Sequence, residues 1–411
     1  MAGAIADTDP ERGIMKLKRK LQKSAAAGAA VLALAGLTSP GQARANNEDA
    51  AYPSAAAGAS DEVFPRLEVE IDIEIQNDLA FDSDDEDAEL NDLFTTTEPA
   101  IGLYLLPGLS LQAGLVLEPV EDPDPGDDRA FEDHGLFFEQ LFMQYEQDAF
   151  SVYAGKFNLR FGVGWDLTPG VYGTDVAEDF YEQVERIGFG GSLTFGGAGI
   201  GGEGFGEHTF SAQTFFVDTT FLSTSALENR GRTRQADGGV SNTEDLSSFA
   251  FSLDGGELPG APANLSYHLG LAFQDGGQDA TDDETGIAFA LYGSHELSED
   301  LSIEPIAEYV YFDNAEGLNQ ERDILTLGNA LIYGPWNLAL AYSQVWSDPN
   351  AADVEDVDLR QFQVSAGYGF DFGLDVDVGY KFVDEETDGD SIETHFVGVI
   401  LHYALDFTLP R

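Results

Sequence analysis

Residues 66–76 read RLEVEIDIEIQ, from Arg66 to Gln76. Leu67, Val69, Ile71, Ile73 and Ile75 take every second position, and Glu68, Glu70, Asp72, Glu74 and Gln76 fill the gaps. Side chains that alternate with period two point to opposite faces of a β-strand; a helix would need a period near 3.6. The segment is therefore a strand with one apolar and one wet face.

The same dyad recurs along the chain. Leu109, Leu111, Ala113, Leu115 and Leu117 share a face, as do Leu265, Tyr267, Leu269, Leu271 and Phe273. Trp336, Leu338, Leu340 and Tyr342 form another set, and Phe372, Leu374, Val376, Val378, Tyr380 and Phe382 a further one. Val397, Val399, Leu401, Tyr403, Leu405 and Phe407 close the series. With the less regular segments between them, about sixteen strands are expected from the pattern, centred near residues 70, 100, 113, 141, 153, 191, 212, 250, 269, 291, 306, 327, 341, 364, 377 and 399.

Connections alternate long and short. The long ones are expected at 78–93, 119–133, 158–186, 218–246, 275–285, 313–321, 348–358 and 384–390. Short ones include Leu106-Pro107-Gly108, Gln147-Asp148-Ala149, Ser298-Glu299-Asp300, Gly334-Pro335 and Asp371, while Gly196–Gly206 and Asp254–Ala263 are longer but rich in Gly and Pro. Such alternation marks a transmembrane antiparallel β-barrel with short periplasmic turns and long extracellular loops. The competing architecture, a soluble β-sandwich, uses strands of about 5–6 residues. The dyads here match the roughly 9–11 residues that cross a bilayer at a tilt. Aromatic residues at strand ends (Tyr309, Tyr311, Phe312, Tyr333, Trp336, Trp346, Tyr403 and Phe407) suit an interfacial girdle.

The start of the chain reads as an address. KLKRKLQK at 16–23 precedes the apolar run Ser24–Leu37 and the small-residue site Ala43-Arg44-Ala45. That is the order of a cleaved secretory signal, and about 14 apolar residues are too few to span a membrane as a helix. Met15 opens the pattern and is an alternative start. The expected division is a signal at 1–45, a flexible segment at 46–63 and a barrel at 64–411.

Charge narrows the function. The 411 residues hold 75 Asp+Glu against 19 Lys+Arg, a formal net charge of −56, and no Cys. Seven Lys/Arg and three Asp/Glu lie in residues 1–45, so the remainder holds 12 basic and 72 acidic residues, a formal −60. Nucleic acid is an unsuitable partner, because a phosphate-binding surface needs clustered Lys and Arg. Thiolate metal sites and cysteine nucleophiles are excluded.

Val399-Ile400-Leu401-His402-Tyr403-Ala404-Leu405-Asp406-Phe407 resembles the alternating, aromatic-ended final strand of Gram-negative outer-membrane barrels. Tyr153-Ala154-Gly155-Lys156-Phe157-Asn158-Leu159-Arg160-Phe161-Gly162 resembles the strand-to-loop passage of sixteen-stranded porins of the phosphate-selective and siderophore-porin kind. The resemblance implies a loop folded into the lumen and a homotrimer in the outer membrane, in contact with its lipids and lipopolysaccharide. The chain departs from the phosphate-selective branch, which relies on lysines and arginines.

If the apolar faces meet lipid, the wet faces line a lumen. Expected pore-lining residues are Glu68, Glu70, Asp72 and Glu74 on one strand, Glu304 and Glu308 on a second, and Asp375 and Asp377 on a third. Rows of carboxylates need water and counter-ions, which a pore supplies, and acid rings favour cations. Merely solvated faces without selectivity are the alternative. Asn158–Arg186 carries Trp165, Tyr172, Phe180 and Tyr181 with Asp166, Asp175, Glu178, Asp179, Glu182 and Glu185. Four large aromatics suit a constriction loop inside the barrel, with Lys156, Arg160 and Arg186 expected to face its acids.

Acidic stretches at Asp82–Asp92, Asp122–Asp128, Asp275–Glu284 and Asp384–Asp390 lack the spacing of a calcium loop and read as solvated. The basic Arg230-Gly231-Arg232-Thr233-Arg234 could contact lipopolysaccharide phosphates or an anionic solute; an ordinary mobile loop is the favoured reading. Six scattered His form no catalytic motif, so neither an enzyme nor a cofactor is expected. Together these features predict a passive porin for small hydrophilic solutes and ions with a cation preference. A ligand-specific channel of siderophore type, or a non-conducting structural barrel, would share the same pattern.

Overall fold

The computed structural model describes residues 63–197, 206–256, 264–278, 280, 282–350, 354 and 356–410. Residues 1–45, expected to be the signal, lie outside them, as does most of 46–63.

Sixteen long antiparallel strands close into a barrel. They are β1 (Arg66–Ser83), β2 (Asn91–Leu106), β3 (Leu109–Pro119), β4 (His134–Gln147), β5 (Phe150–Phe157), β6 (Arg186–Gly196), β7 (Glu207–Val217), β8 (Ser248–Gly256), β9 (Leu265–Gln274), β10 (Glu284–Gly293), β11 (Leu301–Asp313), β12 (Gln320–Tyr333), β13 (Trp336–Pro349), β14 (Val357–Gly369), β15 (Leu374–Thr387) and β16 (Asp390–Pro410). Each pairs with its sequence neighbour, and β1 joins β16 in a register running from Arg66 opposite Pro410 to Ser83 opposite Thr394. Every expected strand centre falls within one of these strands. Among the described residues closure leaves no free sheet edge, as spanning a bilayer with strands requires.

Burial runs inside out. Leu269, Leu271, Phe273, Ile287, Phe289, Leu291, Leu338, Leu340, Val397, Val399 and Leu401 are exposed, whereas His268, Gln274, Ala288, Ala290, Ser343 and Gln363 between them are buried. This is the pattern of an outer face that meets hydrocarbon. Aromatic ladders mark the short-turn end: Trp336, Tyr368, Phe370 and Phe372 follow one another with ring centroids 4.7, 4.8 and 5.3 Å apart.

Short turns at Pro107-Gly108, Asp148-Ala149 and Gly334-Pro335 alternate with long connections at 84–90, 120–133, 158–185 and 218–247. One expected connection differs. Residues 384–390 form no long loop: β15 and β16 continue past the apolar belt and meet in a two-residue turn, with Asp388 at φ 53° and Gly389 at φ 88°. Above the bilayer neither face is obliged to be apolar, so the dyad fades although the strand continues. The acids of that stretch lie on paired strands, with Asp384 2.7 Å from Arg360.

Candidate functional site

The connection between β5 and β6 folds into the barrel. It carries two short helical turns, α1 (Gly164–Leu167) and α2 (Asp175–Glu178). Phe161, Trp165 and Tyr181 pack on Ala272, Ala288, Val310, Phe312, Ile324, Val345 and Leu359 from β9–β14. Small residues on β9, β10 and β13 leave room for the rings. Burial of each large side chain contributes about 1.5–3 kcal/mol, so this half of the lumen is filled by a genuine core.

Polar contacts fix the path of the loop. Glu308 on β11 accepts hydrogen bonds on both carboxylate oxygens: from the Val163 N–H at 2.6 Å, the Gly164 N–H at 2.7 Å and the Tyr181 hydroxyl at 2.8 Å. The Gly162 N–H donates to His268 Nε2 at 3.1 Å, which leaves the imidazole proton on Nδ1, donated to Asp254 Oδ1 at 2.7 Å. A Cβ on Gly164 would lie 2.5 Å from Glu308 Oε1, and Gly162 holds φ 75°. The sequence Gly162-Val163-Gly164 thus lets backbone approach a carboxylate closely. Farther along, Gln363 Nε2 donates to the Pro169 carbonyl at 2.6 Å, and Lys381 Nζ donates to Asp175 at 2.5 Å while sitting 4.4 Å from the Tyr172 ring centre. Burial, followed by the negative charge of Asp78 and Asp175, pushes the Tyr172 phenol up, so it stays protonated.

The opposite half of the lumen is acidic. Glu68, Glu70, Asp72 and Glu74 share the inner face of β1, where Asp72 meets His402 Nε2 at 2.7 Å. Glu98 on β2, Glu118 on β3 and Glu139 on β4 extend the row, with Glu118 and Glu139 buried. Glu139 arrives by a bulge: Gly114 opposes Gln140 and Leu115 opposes Phe138, leaving Glu139 as the extra residue. Bulges commonly re-aim a side chain in this way. Glu182, at the end of the inward loop, joins the group; burial and then repulsion from Glu139 and Glu185 push its carboxyl well above the usual range.

The expected site residues therefore part company. Glu68, Glu70, Asp72 and Glu74 lie together on the acidic wall. Glu304 is held near Ser294 at 3.4 Å, Asp377 accepts from Asn337 at 2.9 Å, and Asp375 lies 3.4 Å from His402. Glu308 also faces inward, but it is 2% exposed and serves as an anchor for the loop, not as free lining. Trp165 and Asp166 are buried in α1, and Asp179 lies beyond α2; the side chain of Glu178 falls outside those described.

Of the expected cations, Lys156 meets an acid of the loop itself, Glu185, and Arg160 turns to the wall. Lys156 is fully buried between Glu185 at 2.7 Å and Asp218 at 2.8 Å, and Arg160 lies 3.4 Å from Asp254 of the wall. Arg186 sits in the fields of Glu284, Glu185 and Glu182. These three cations flank the root of the loop and stay with nearby acids. The distant acid Asp175 is met by Lys381 from the far wall instead.

Sequence reasoning also missed part of the connection between β7 and β8. Arg230 does not belong to a free loop: it forms a two-pronged pair with Glu185, at 2.7 and 2.6 Å. A cavity of about 440 Å³ lies there, lined among others by Glu182, Glu185, Arg186, Asp218, Arg230 and Arg232. The clustering of three arginines in five residues of a basic-poor chain was the available signal.

No protein-family model matches this sequence, and no curated protein matches it. Solved structures do. The outer-membrane channel DcaP of Acinetobacter baumannii aligns with a TM-score of 0.54 at 13% identity, over 83% of this chain and 98% of that one. OccAB2 of the same organism aligns at 0.47 and 8% identity, over 83% and 98% of the two chains. The outer-membrane protein OpdK of Pseudomonas aeruginosa aligns at 0.46 and 10% identity, over 83% and 99%. The likeness to DcaP is one of fold: this chain shares its barrel architecture.

Proposed function

We propose that this protein is an outer-membrane porin, a passive diffusion channel for small hydrophilic solutes that favours cations. The observation that carries the reading is the division of the lumen, in which an inward loop packs on the apolar half while Glu68, Glu70, Asp72 and Glu74 share the inner face of β1 in the other. A narrowed passage with an acidic wall raises the local concentration of cations and lowers that of anions. The export route is a signal cleaved before Asn46, which N-terminal sequencing of the purified protein checks. A homotrimer in contact with lipopolysaccharide is the expected assembly.

Planar-bilayer recording tests the function. In a KCl gradient the reversal potential should carry the sign of a cation-selective pore at 0.1 M salt. The bias should fade near 1 M, as the screening length drops from about 10 Å to about 3 Å. Deletion of Gly164–Asp179 should raise single-channel conductance. A folded wild-type barrel without steady conductance would show a plugged, structural protein and defeat the reading.

A further inference from the structure

The connection 218–247 turns back against the start of β4 and delivers one side chain to the root of the inward loop. Arg230 Nη1 and Nη2 donate to the two carboxylate oxygens of Glu185 at 2.7 and 2.6 Å, and its Nε donates to the Ser223 carbonyl at 3.0 Å. Its guanidinium lies 3.6 Å from the centre of the Phe137 ring. Backbone contacts hold the segment in place: the Arg230 N–H donates to Ser225 Oγ at 2.8 Å, and Ala226–Leu227 pairs with Gly135–Leu136 of β4. Glu185 is equally constrained, with a left-handed φ of 57°, its N–H on Asn158 Oδ1 at 3.1 Å and its second cationic neighbour Lys156 at 2.7 Å.

This arrangement exceeds what fastening a loop requires. The pair lines the 440 Å³ cavity, and the Glu185 and Arg230 side chains each remain 20% exposed. Four acids (Glu182, Glu185, Asp218 and Asp237) and three arginines (Arg186, Arg230 and Arg232) line that space. Beside an otherwise acidic lumen it is close to charge-balanced.

We propose that Arg230 is a specificity-determining residue of the passage: by covering Glu185 it sets the local charge, and so limits how strongly the channel prefers cations. The proposal rests on the porin reading and adds to it the residue that tunes selectivity. A unit charge ~7 Å from a permeating ion, screened by 0.1 M salt, alters the cation-to-anion ratio about threefold.

The experiment compares the wild type, Arg230→Gln, Arg230→Lys and the double variant Arg230→Gln/Glu185→Gln in planar bilayers under a KCl gradient. Folding is confirmed by heat-modifiable mobility. Arg230→Gln should raise the cation-to-anion permeability ratio about threefold at 0.1 M and show little change near 1 M salt. Arg230→Lys, which keeps the charge, should stay near the wild-type ratio, and the double variant should return towards it. A folded Arg230→Gln barrel with the wild-type ratio overturns the proposal. So does a shift of equal size at 1 M salt, which would mark a change of shape. If wild type conducts but prefers anions, the cation reading fails while the Arg230→Gln shift still decides this one; a wild type that does not conduct overturns both.

Discussion

Replacing Glu308 is the most direct way to loosen the inward loop without touching the barrel. Its carboxylate accepts two backbone N–H groups and one phenolic hydroxyl, all buried, from segments 127–145 residues away in sequence. Hydrogen bonds to a charged partner contribute about 1.5–3 kcal/mol each. Three of them give roughly 4–9 kcal/mol gross, from which the cost of burying the carboxylate, several kcal/mol, must be subtracted. In Glu308→Ala the three donors lose their acceptor, so the net loss in loop docking is about 2–4 kcal/mol. A loss of 3 kcal/mol multiplies the undocked population by about 150. Glu308→Gln should be milder, since its amide oxygen can still accept from the Gly164 N–H and the Tyr181 hydroxyl while the NH₂ confronts only the Val163 N–H. The barrel itself should survive, because β11 is held by backbone pairing to β10 and β12. Single-channel traces should become noisy with excursions to higher conductance, and limited proteolysis should cut within 158–185. Quiet traces like the wild type's and an uncut loop in Glu308→Ala would refute the anchoring role.

Gly164→Ala attacks the same contact from the other side, placing a Cβ 2.5 Å from Glu308 Oε1. A cost of about 1–3 kcal/mol in loop docking is expected, read as increased proteolysis within 158–185 and absent if the loop stays protected. Lys381→Met leaves Asp175 without its ion-pair partner and removes the cation from the Tyr172 ring. Loosening of α2 by about 1–3 kcal/mol should follow, seen as faster hydrogen exchange confined to 168–180. Glu182 supplies a pH dependence. Its carboxyl is raised in the folded protein, so its contribution to loop docking is complete below the ordinary carboxylate range and is lost as pH rises through the raised value. Protease protection of the loop should therefore weaken with increasing pH, and Glu182→Gln should flatten that profile; an unchanged slope would assign it to another group.

The wall of this protein was legible because lipid imposes a rule on every second residue. Leu67 to Ile75 and Val397 to Phe407 could face only one way, and both strands lie where the dyad puts them. Where lipid ends, so does the rule, and the paired strand over 384–387 looked like a loop. Inside the barrel the rule gives a direction but no partner. It places Glu308 inward without indicating that Gly162-Val163-Gly164 will reach it, and it places Lys381 inward without showing Asp175, 206 residues earlier, above it. Glu139 escaped because a bulge breaks the very period used to find faces. Glu98 lay in TTTEPA, where no alternation exists to read.

The two halves of the lumen explain each other. An apolar inner wall over β9–β14 would be exposed to water in an open barrel, at a cost of about 25 cal/mol for each Å² left uncovered. Only a segment rich in large apolar rings can cover it, and Phe161, Trp165 and Tyr181 supply them. The loop could not lie instead on the inner face of β1–β4. There it would press its rings against Glu68, Glu70, Asp72 and Glu74, and desolvating a carboxylate costs several kcal/mol per ion. The side taken by the loop is thus set by the apolar wall its rings cover and by Glu308, the acid on that wall that its own donors satisfy. Moving charge should move the loop: a carboxylate at Val310, buried in the core beneath the rings, would expel it, whereas one at Val116 on the acidic side would leave it docked. If Val310→Asp left the loop protected from protease, the apolar wall would not be what holds it.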